Sequence, residues 1–266
     1  MPIFQLILIA LIQGITEFLP VSSSAHLILF PKLTGLQDQG LAIDVAVHIG
    51  TLLAVLLYLK ADIKLLFQGL IQAFGFKRRN NAFSLLCYLI MATIPVVLFG
   101  FLIKLVNLDE SLRSIKIIAW AMLIFGLILY YTDQKNIDTK KTNNWSYRMA
   151  LIMGFWQALA LIPGTSRAGA VISGARLLGF SRQDSAKLAM LMAIPTIIAS
   201  GALLSVEIIA SGSLSLARDF FLAIAFSFSA ALLSIRLMMY FLTKYSFTPY
   251  VVYRLLLSLI LLAIIY

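Results

Sequence analysis

Residues 3–30 read IFQLILIALIQGITEFLPVSSSAHLILF, two apolar runs separated by a polar interruption. The interruption holds a carboxylate at Glu17, a proline at Pro20, three consecutive hydroxyls at Ser22, Ser23 and Ser24, and an imidazole at His26. Pro20 and the serines cannot continue a lipid-facing helix, because they free backbone groups that hydrocarbon cannot satisfy. The stretch therefore reads as a re-entrant pair, two helices that enter and leave on the same side of a membrane.

The rest of the chain supplies the membrane. Of 266 residues, 61% are apolar and 12% charged, and the mean hydropathy is +0.98, so most of the surface faces lipid. Long apolar runs without alternation select helices over a barrel, which makes the fold class all-α and polytopic. Six runs are long enough to span, at 41–59, 83–103, 117–131, 188–208, 219–241 and 249–266. A further run, 149–180, is interrupted by IPGTSRAGA as the first is by LPVSSSA, and reads as a second re-entrant pair. Met1 is followed directly by apolar residues with no basic region, which predicts no cleaved signal peptide. Cys87, in an apolar run, reads as a small buried hydrophobe.

The formal charge of +10 lies in short segments between the runs rather than on a soluble face, which argues against nucleic acid as a partner. Lys60, Lys64, Lys77, Arg78 and Arg79 follow the first span, and Lys135, Lys140, Lys141 and Arg148 the third, placing both loops in the cytoplasm. Arg176, Arg182 and Lys187 precede the fourth span and Lys244 follows the fifth on that same side, whereas 209–217 has no Lys or Arg. Loop 104–116 is the imperfect case, with Lys104, Arg113 and Lys116 beside Asp109 and Glu110. Both termini then face outward.

The two interrupted runs also resemble each other. Gln13 and PVSS from Pro20 parallel Gln157 and PGTS from Pro163, and IGTLLA from Ile49 parallels IPTIIA from Ile194, with one gap. Each half holds one re-entrant pair and three spans, and an odd number of spans inverts the second half. The chain reads as one integral membrane domain, 1–266, built of inverted repeats at 1–131 and 149–266 joined by a cytoplasmic loop, 132–148. Polar sites are expected near the midplane where the halves meet.

Glu17 lies one helical turn after Gln13, so the two share a face. A carboxylate at membrane depth is costly unless paired or wetted, and reads as a general acid/base or a metal ligand. The triple serine is either a polar cap or a turn whose backbone N–H groups bind an anion. His26 adds a group that titrates near neutral pH, completing the ingredients of an activated nucleophile or proton shuttle. The second break, PGTSRAG at residues 163–169, brings Gly164, Thr165, Ser166 and Arg167. Arg167 needs an anionic partner, and its planar fork suits phosphate; the alternative is an ion pair with Glu17 across the repeat. Neither break has the spacing of a nucleotide P-loop. His48, on the second apolar run, reads as an interhelical hydrogen-bonding group ahead of a catalytic one. Glu207 and Asp219 fall near span ends and read as solvated.

An arginine, a carboxylate, an imidazole and hydroxyl-bearing helix breaks inside a bilayer describe a site for a phosphorylated lipid. At QGITEFLPVSSSAHL, residues 13–27, and PGTSRAGAVISGARLLGFSR, residues 163–182, the chain resembles the undecaprenyl-diphosphate phosphatase family, bacterial proteins linked to bacitracin resistance. DVAVHIGTLLAV and YSFTPYVVYR extend the likeness over nearly the whole chain. The resemblance implies hydrolysis of the terminal phosphate of undecaprenyl diphosphate at the outer side of the bacterial cytoplasmic membrane, recycling the carrier for peptidoglycan. It further implies a divalent cation, Mg or Ca, and leaves room for a homodimer. Carried over by position, it expects Glu17, Ser23, His26 and Arg167 to be catalytic, with Glu17 also on the metal. Gln13, Ser22, Ser24, Gly164, Thr165 and Ser166 would bind substrate. Ser23 is the favoured nucleophile with His26 as acid/base, ahead of a phosphohistidine at His26 or direct attack by water. Ala25, Ala168 and Val171 depart from the family pattern, the last two by losing hydroxyls. A secondary transporter or flippase for a phosphorylated lipid is the alternative, since broken helices in inverted repeats also build alternating access.

Overall fold

A computed structural model describes residues 1–75, 80–135, 138–211 and 217–266, without side chains at 109, 202–211 and 217. Among these residues every regular element is helical. The first interrupted run forms α1 (Ile3–Thr16) and α2 (Ser23–Thr34), and the second forms α8 (Tyr147–Leu159) and α9 (Arg167–Leu177). At 1.5 Å per residue these four helices reach at most about 21 Å, short of the roughly 30 Å hydrocarbon layer. Among the described residues five helices are long and apolar enough to cross it: α3 (Gly40–Tyr58), α5 (Asn81–Leu105), α7 (Ile115–Lys135), most of α11 (Ala217–Phe241), and α12 (Thr248–Ile265). The protein is a multi-pass, all-helical membrane protein. The expected span at 188–208 falls on α10 (Arg182–Ser211), whose side chains past Gly201 lie outside the described residues.

Among the described residues two α-helices, and a 3₁₀ turn at Thr142–Asn144, interrupt segments read as loops. Residues 60–74 form α4 (Lys60–Phe74), which packs on α5 while leaving Phe67, Ile71 and Phe74 exposed. Lys60, Asp62 and Lys64 gave that segment the composition of a connection, but its apolar residues recur at helical spacing and form an amphipathic face. A single turn, α6 (Asp109–Leu112), lies in the connection between α5 and α7. Lys77, Arg78 and Arg79, the side chain of Glu207 and the segment 212–216 lie outside the described residues.

Packing crosses between the halves of the chain. α1 packs on α11, α8 on α5, α7 on α12, and α3 on both α10 and α11. Glycines allow the closest of these approaches. A Cβ at Gly50 on α3 would lie 2.0 Å from Ser227 Oγ and 2.5 Å from the Ile224 carbonyl of α11. One at Gly14 on α1 would lie 2.6 Å from Ala230 Cβ. Backbones meeting this closely maximise dispersion contacts, which drive helix association where lipid is as apolar as the partner. Apolar residues from three elements fill the interface: Leu6 and Ile9 of α1, Ile43 and Val47 of α3, and Ala223 of α11.

At the opposite end an ion network ties four elements together. Asp133, at the end of α7, is 1% exposed and accepts from Arg182 Nε at 2.7 Å and the Phe247 backbone N–H at 3.1 Å. Arg176 of α9, also 1% exposed, reaches Asp133, Asp138 and the Phe180 carbonyl. Lys187 pairs with Asp62 at 2.8 Å. The basic residues that set the expected topology are thus partly built into the fold.

The Gly50 contact gives a direct test. Gly50→Ala must push α3 from α11 at a cost of about 1–3 kcal/mol, and the detergent-solubilised variant should melt below wild type. An unchanged melting temperature would show that the contact is not close-packed.

Candidate active site

Helices α2, α3, α5, α8, α9 and α10 and the two turns at the helix breaks meet at a cavity of about 240 Å³. Its polar wall comes from the turn after α1, the start of α2, His48 of α3, the start of α9, Gln157 of α8, and Thr196 and Ser200 of α10. Glu17, 7% exposed, is the carboxylate of this wall and is held from three sides. Gln13 Nε2 donates to Oε2 at 2.8 Å from one turn earlier, Ser23 Oγ donates to the same oxygen at 2.6 Å, and the Arg167 guanidinium donates to Oε1. The cross-repeat ion pair weighed from sequence is therefore formed. Arg167 also donates through Nη1 to Thr196 Oγ1 at 2.9 Å and to the Ala193 carbonyl, while part of its fork borders the cavity.

Both breaks are built alike. α2 begins at Ser23 after Ser22, whose φ is 75°, and α9 begins at Arg167 after Ser166, whose φ is 69°. Each serine sits at the N-cap, where the chain turns sharply so that a helix start faces the cavity. First-turn N–H groups have no intrahelical partner and carry the positive end of the helix dipole, so two such ends favour an anion. Ser166 Oγ accepts from the Gly169 N–H at 3.1 Å. Gly164 has φ +96°, and a Cβ there would lie 2.5 Å from the Ile118 carbonyl, so this turn needs glycine.

The other expected site residues divide. Ser22, Ser23, Ser24 and Ser166 border the cavity with Glu17 and Arg167. Gly164 and Thr165 lie behind it, their carbonyls accepting from Arg254 at 3.1 and 2.9 Å. Gln13 reaches the cavity only through Glu17. His26 lies outside. Its Nδ1 lies 2.7 Å from the Ser22 carbonyl, which can only accept, so Nδ1 carries the proton; Nε2 lies 2.6 Å from Tyr253 Oη, against whose ring it stacks.

The imidazole that does border the cavity is His48 of α3. Its Nδ1 donates to the Asp44 carbonyl at 2.6 Å, which leaves Nε2 as an acceptor 3.9 Å from Glu17 Oε2. Two further residues escaped the sequence reading as site residues. Gln157 is fully buried beside the cavity, and neither amide atom has a protein partner. Arg254 is fully buried and donates to the Pro20 carbonyl as well as to Gly164 and Thr165, bridging both breaks. Its signal was an arginine inside the apolar run VVYRLLLSLILL. Ala168 and Val171 are buried in the apolar core, away from the cavity, and Ala25 packs with Ile118 and Met122.

Among the described residues the side chains at this cavity form no complete cage for a resident divalent cation. Mg²⁺ is typically held by one or two carboxylates with waters and substrate phosphates filling the shell, and Ca²⁺ by six to eight oxygens. Glu17 is the carboxylate bordering this cavity, and both its oxygens are already engaged, one by a guanidinium.

Comparison with known proteins identifies the family. Residues 6–260 match the family model described as bacitracin resistance protein BacA. A protein of Dinoroseobacter shibae named undecaprenyl-diphosphatase is 55% identical over the full length of both chains. Proteins of the same name from a Ruegeria species and from Campylobacter curvus are 53% and 45% identical, the latter over 99% of each chain. A helical membrane protein with paired helix breaks around a glutamate, a serine and an arginine thus belongs to the bacitracin resistance protein BacA family.

Proposed function

We propose that the chain is an undecaprenyl-diphosphatase, releasing inorganic phosphate from undecaprenyl diphosphate in the inner membrane of a bacterium and returning the monophosphate carrier to cell-wall synthesis. Bacitracin resistance, in the family's name, would follow from this activity. The observation that carries the reading is the Ser23–Glu17–Arg167 relay at the mouths of two helices, inside a protein whose surface is otherwise apolar.

The diphosphate is taken by the N-termini of α2 and α9 and by the Arg167 fork. Ser23 Oγ attacks the terminal phosphorus while Glu17 takes its proton, forming a phosphoserine and expelling the lipid monophosphate as leaving group. Water then attacks the phosphoserine with His48 Nε2 accepting its proton while Glu17 returns its proton to the departing Ser23 Oγ, and His48 passes its proton to the freed phosphate, restoring all three groups. His48 replaces His26 in this scheme because His26 spends both ring nitrogens on Ser22 and Tyr253. Gln157 supplies a donor and an acceptor to the bound phosphates. No step runs through a metal.

The same reading covers topology. α1/α2 and α8/α9 are re-entrant pairs in six-span inverted repeats, supported by their lengths, by the matching Ser22 and Ser166 turns, and by the crossed packing of α1 on α11 and α8 on α5. The cavity opens to the outer side, away from the Asp133–Arg176 end that carries the basic connections.

Phosphate release from a prenyl diphosphate by purified protein tests the assignment. Arg167→Ala should lower kcat by about a hundredfold or more, the equivalent of about 3 kcal/mol for a lost charge-stabilising group. Ser23→Ala should abolish both turnover and the acid-stable phosphate that wild type acquires from a terminally labelled substrate. Wild-type turnover in Ser23→Ala would mean that water attacks directly. Gln157→Leu should raise KM by roughly tenfold, as removal of a hydrogen bond to a charged ligand does, and an unchanged KM would remove Gln157 from the site.

A further inference from the structure

The catalytic cavity does not end at its polar wall. Leu161, which borders it, also lines an apolar groove of about 480 Å³ between α5 and α8. On α5, Val96 faces the cavity, and Phe99 and Ile103, three and seven residues on, face the groove. That spacing is one helical face, about 10 Å long. The α8 wall is Phe155, Ala158 and Leu159, with Phe155 edge-on to Phe99 at 6.4 Å between ring centres. Phe99, Phe155 and Leu159 are 45%, 51% and 41% exposed, so the groove opens sideways into lipid. A second apolar groove of about 550 Å³, between α1 and α11, shares no residue with the catalytic cavity.

We infer that the α5–α8 groove is the subsite for the isoprenoid chain of the substrate, holding the units nearest the diphosphate while the remainder stays in the bilayer. The inference rests on the phosphatase reading for the identity of the head group. It adds where the tail lies and what it does. Its volume is that of a site for a drug-sized ligand, too small for a long polyprenyl chain but matched to a few branched units. Since lipid is as apolar as the groove, transfer into it gains little from the hydrophobic effect. What it provides is orientation: a branched chain packed between Phe99 and Phe155 delivers its diphosphate past Leu161 to Ser23 and Arg167 at one fixed angle.

Two variants fill the groove from opposite walls without touching the polar site. Ala158 lies on the α8 wall, and a Cβ at Gly100 on α5 would meet Leu161 Cδ2 at 3.6 Å, an ordinary contact from which a larger side chain extends into the junction. Ala158→Phe and Gly100→Leu should each cut kcat/KM for farnesyl diphosphate at least tenfold while leaving isopentenyl diphosphate, which has a single unit, within twofold of wild type. A farnesyl diphosphate analogue bearing a photoreactive diazirine on its chain should label peptides carrying Phe99, Ile103 or Phe155. Equal loss on both substrates in both variants, or no loss on either, overturns the inference, as does labelling of Leu11 or Leu237 in the other groove. The labelling reads out binding alone. Labelling of the α5–α8 groove in a wild-type protein that releases no phosphate would refute the phosphatase reading and leave the tail subsite standing.

Discussion

The guanidinium of Arg254 touches both helix breaks. From α12 it donates to the carbonyls of Pro20, Gly164 and Thr165 at 3.3, 3.1 and 2.9 Å. Carbonyls freed by a break would each cost several kcal/mol in hydrocarbon, and a buried arginine without partners would cost more. Each problem solves the other. Among the described residues no carboxylate lies within ion-pairing distance of Arg254, so its charge is solvated by backbone dipoles and stays uncompensated. That charge sits behind two helix N-termini, and in a low dielectric the three positive sources add. The pocket in front of them is therefore poised for a multiply charged anion before any residue in it makes contact.

Arg167 and Glu17 add the adjustable part. Alone, the pair is a buried ion pair whose attraction roughly offsets its desolvation, so it gives little net stability. A phosphate entering the cavity competes with Glu17 for the Arg167 fork. On the proposed mechanism, once the guanidinium turns to the ligand, Oε1 of Glu17 loses that donor while Ser23 Oγ stays hydrogen-bonded to Oε2. On the proposed reading, this competition between phosphate and carboxylate is why the pair is worth keeping at depth.

How far the sequence could be read follows from the range of each interaction. Glu17, the three serines, Ser166 and Arg167 were legible because a polar group in an apolar run has few cheap explanations, and the structure gathers them around one cavity. The five spans were legible from length and hydropathy alone. His26 drew attention by lying close to the serines in sequence, but a bond to the carbonyl four residues back turns its ring toward Tyr253, 227 residues away. His48 reaches the cavity from another helix, and no local spacing encodes that. The connection carrying α4 looked like a loop because charge content outweighed its apolar periodicity. Arg254 obeyed the same rule that picked out Arg167, yet it has no hydroxyls or glycines beside it to suggest a site; its role exists only once both breaks are placed in space.

The backbone at Ser22 and Ser166 shows where stability yields to function. Both residues hold positive φ, which costs an L-residue about 1–3 kcal/mol and which glycine would adopt freely. The chain does use glycine where only shape matters, as at Gly164. At the two N-caps it keeps serine, and in both cases the side chain borders the cavity. Ser166 uses its hydroxyl to satisfy the Gly169 N–H, which holds the first turn of α9 taut behind Arg167. Ser22 places its hydroxyl 3.3 Å from that of Ser24 while its carbonyl anchors His26 and so the opposite side of α2. Strain retained at the same position of two matching turns, with a hydroxyl facing the same cavity, is what a site requires and a scaffold does not: glycine would relax the turns and lose the groups that hold them in register around the phosphate.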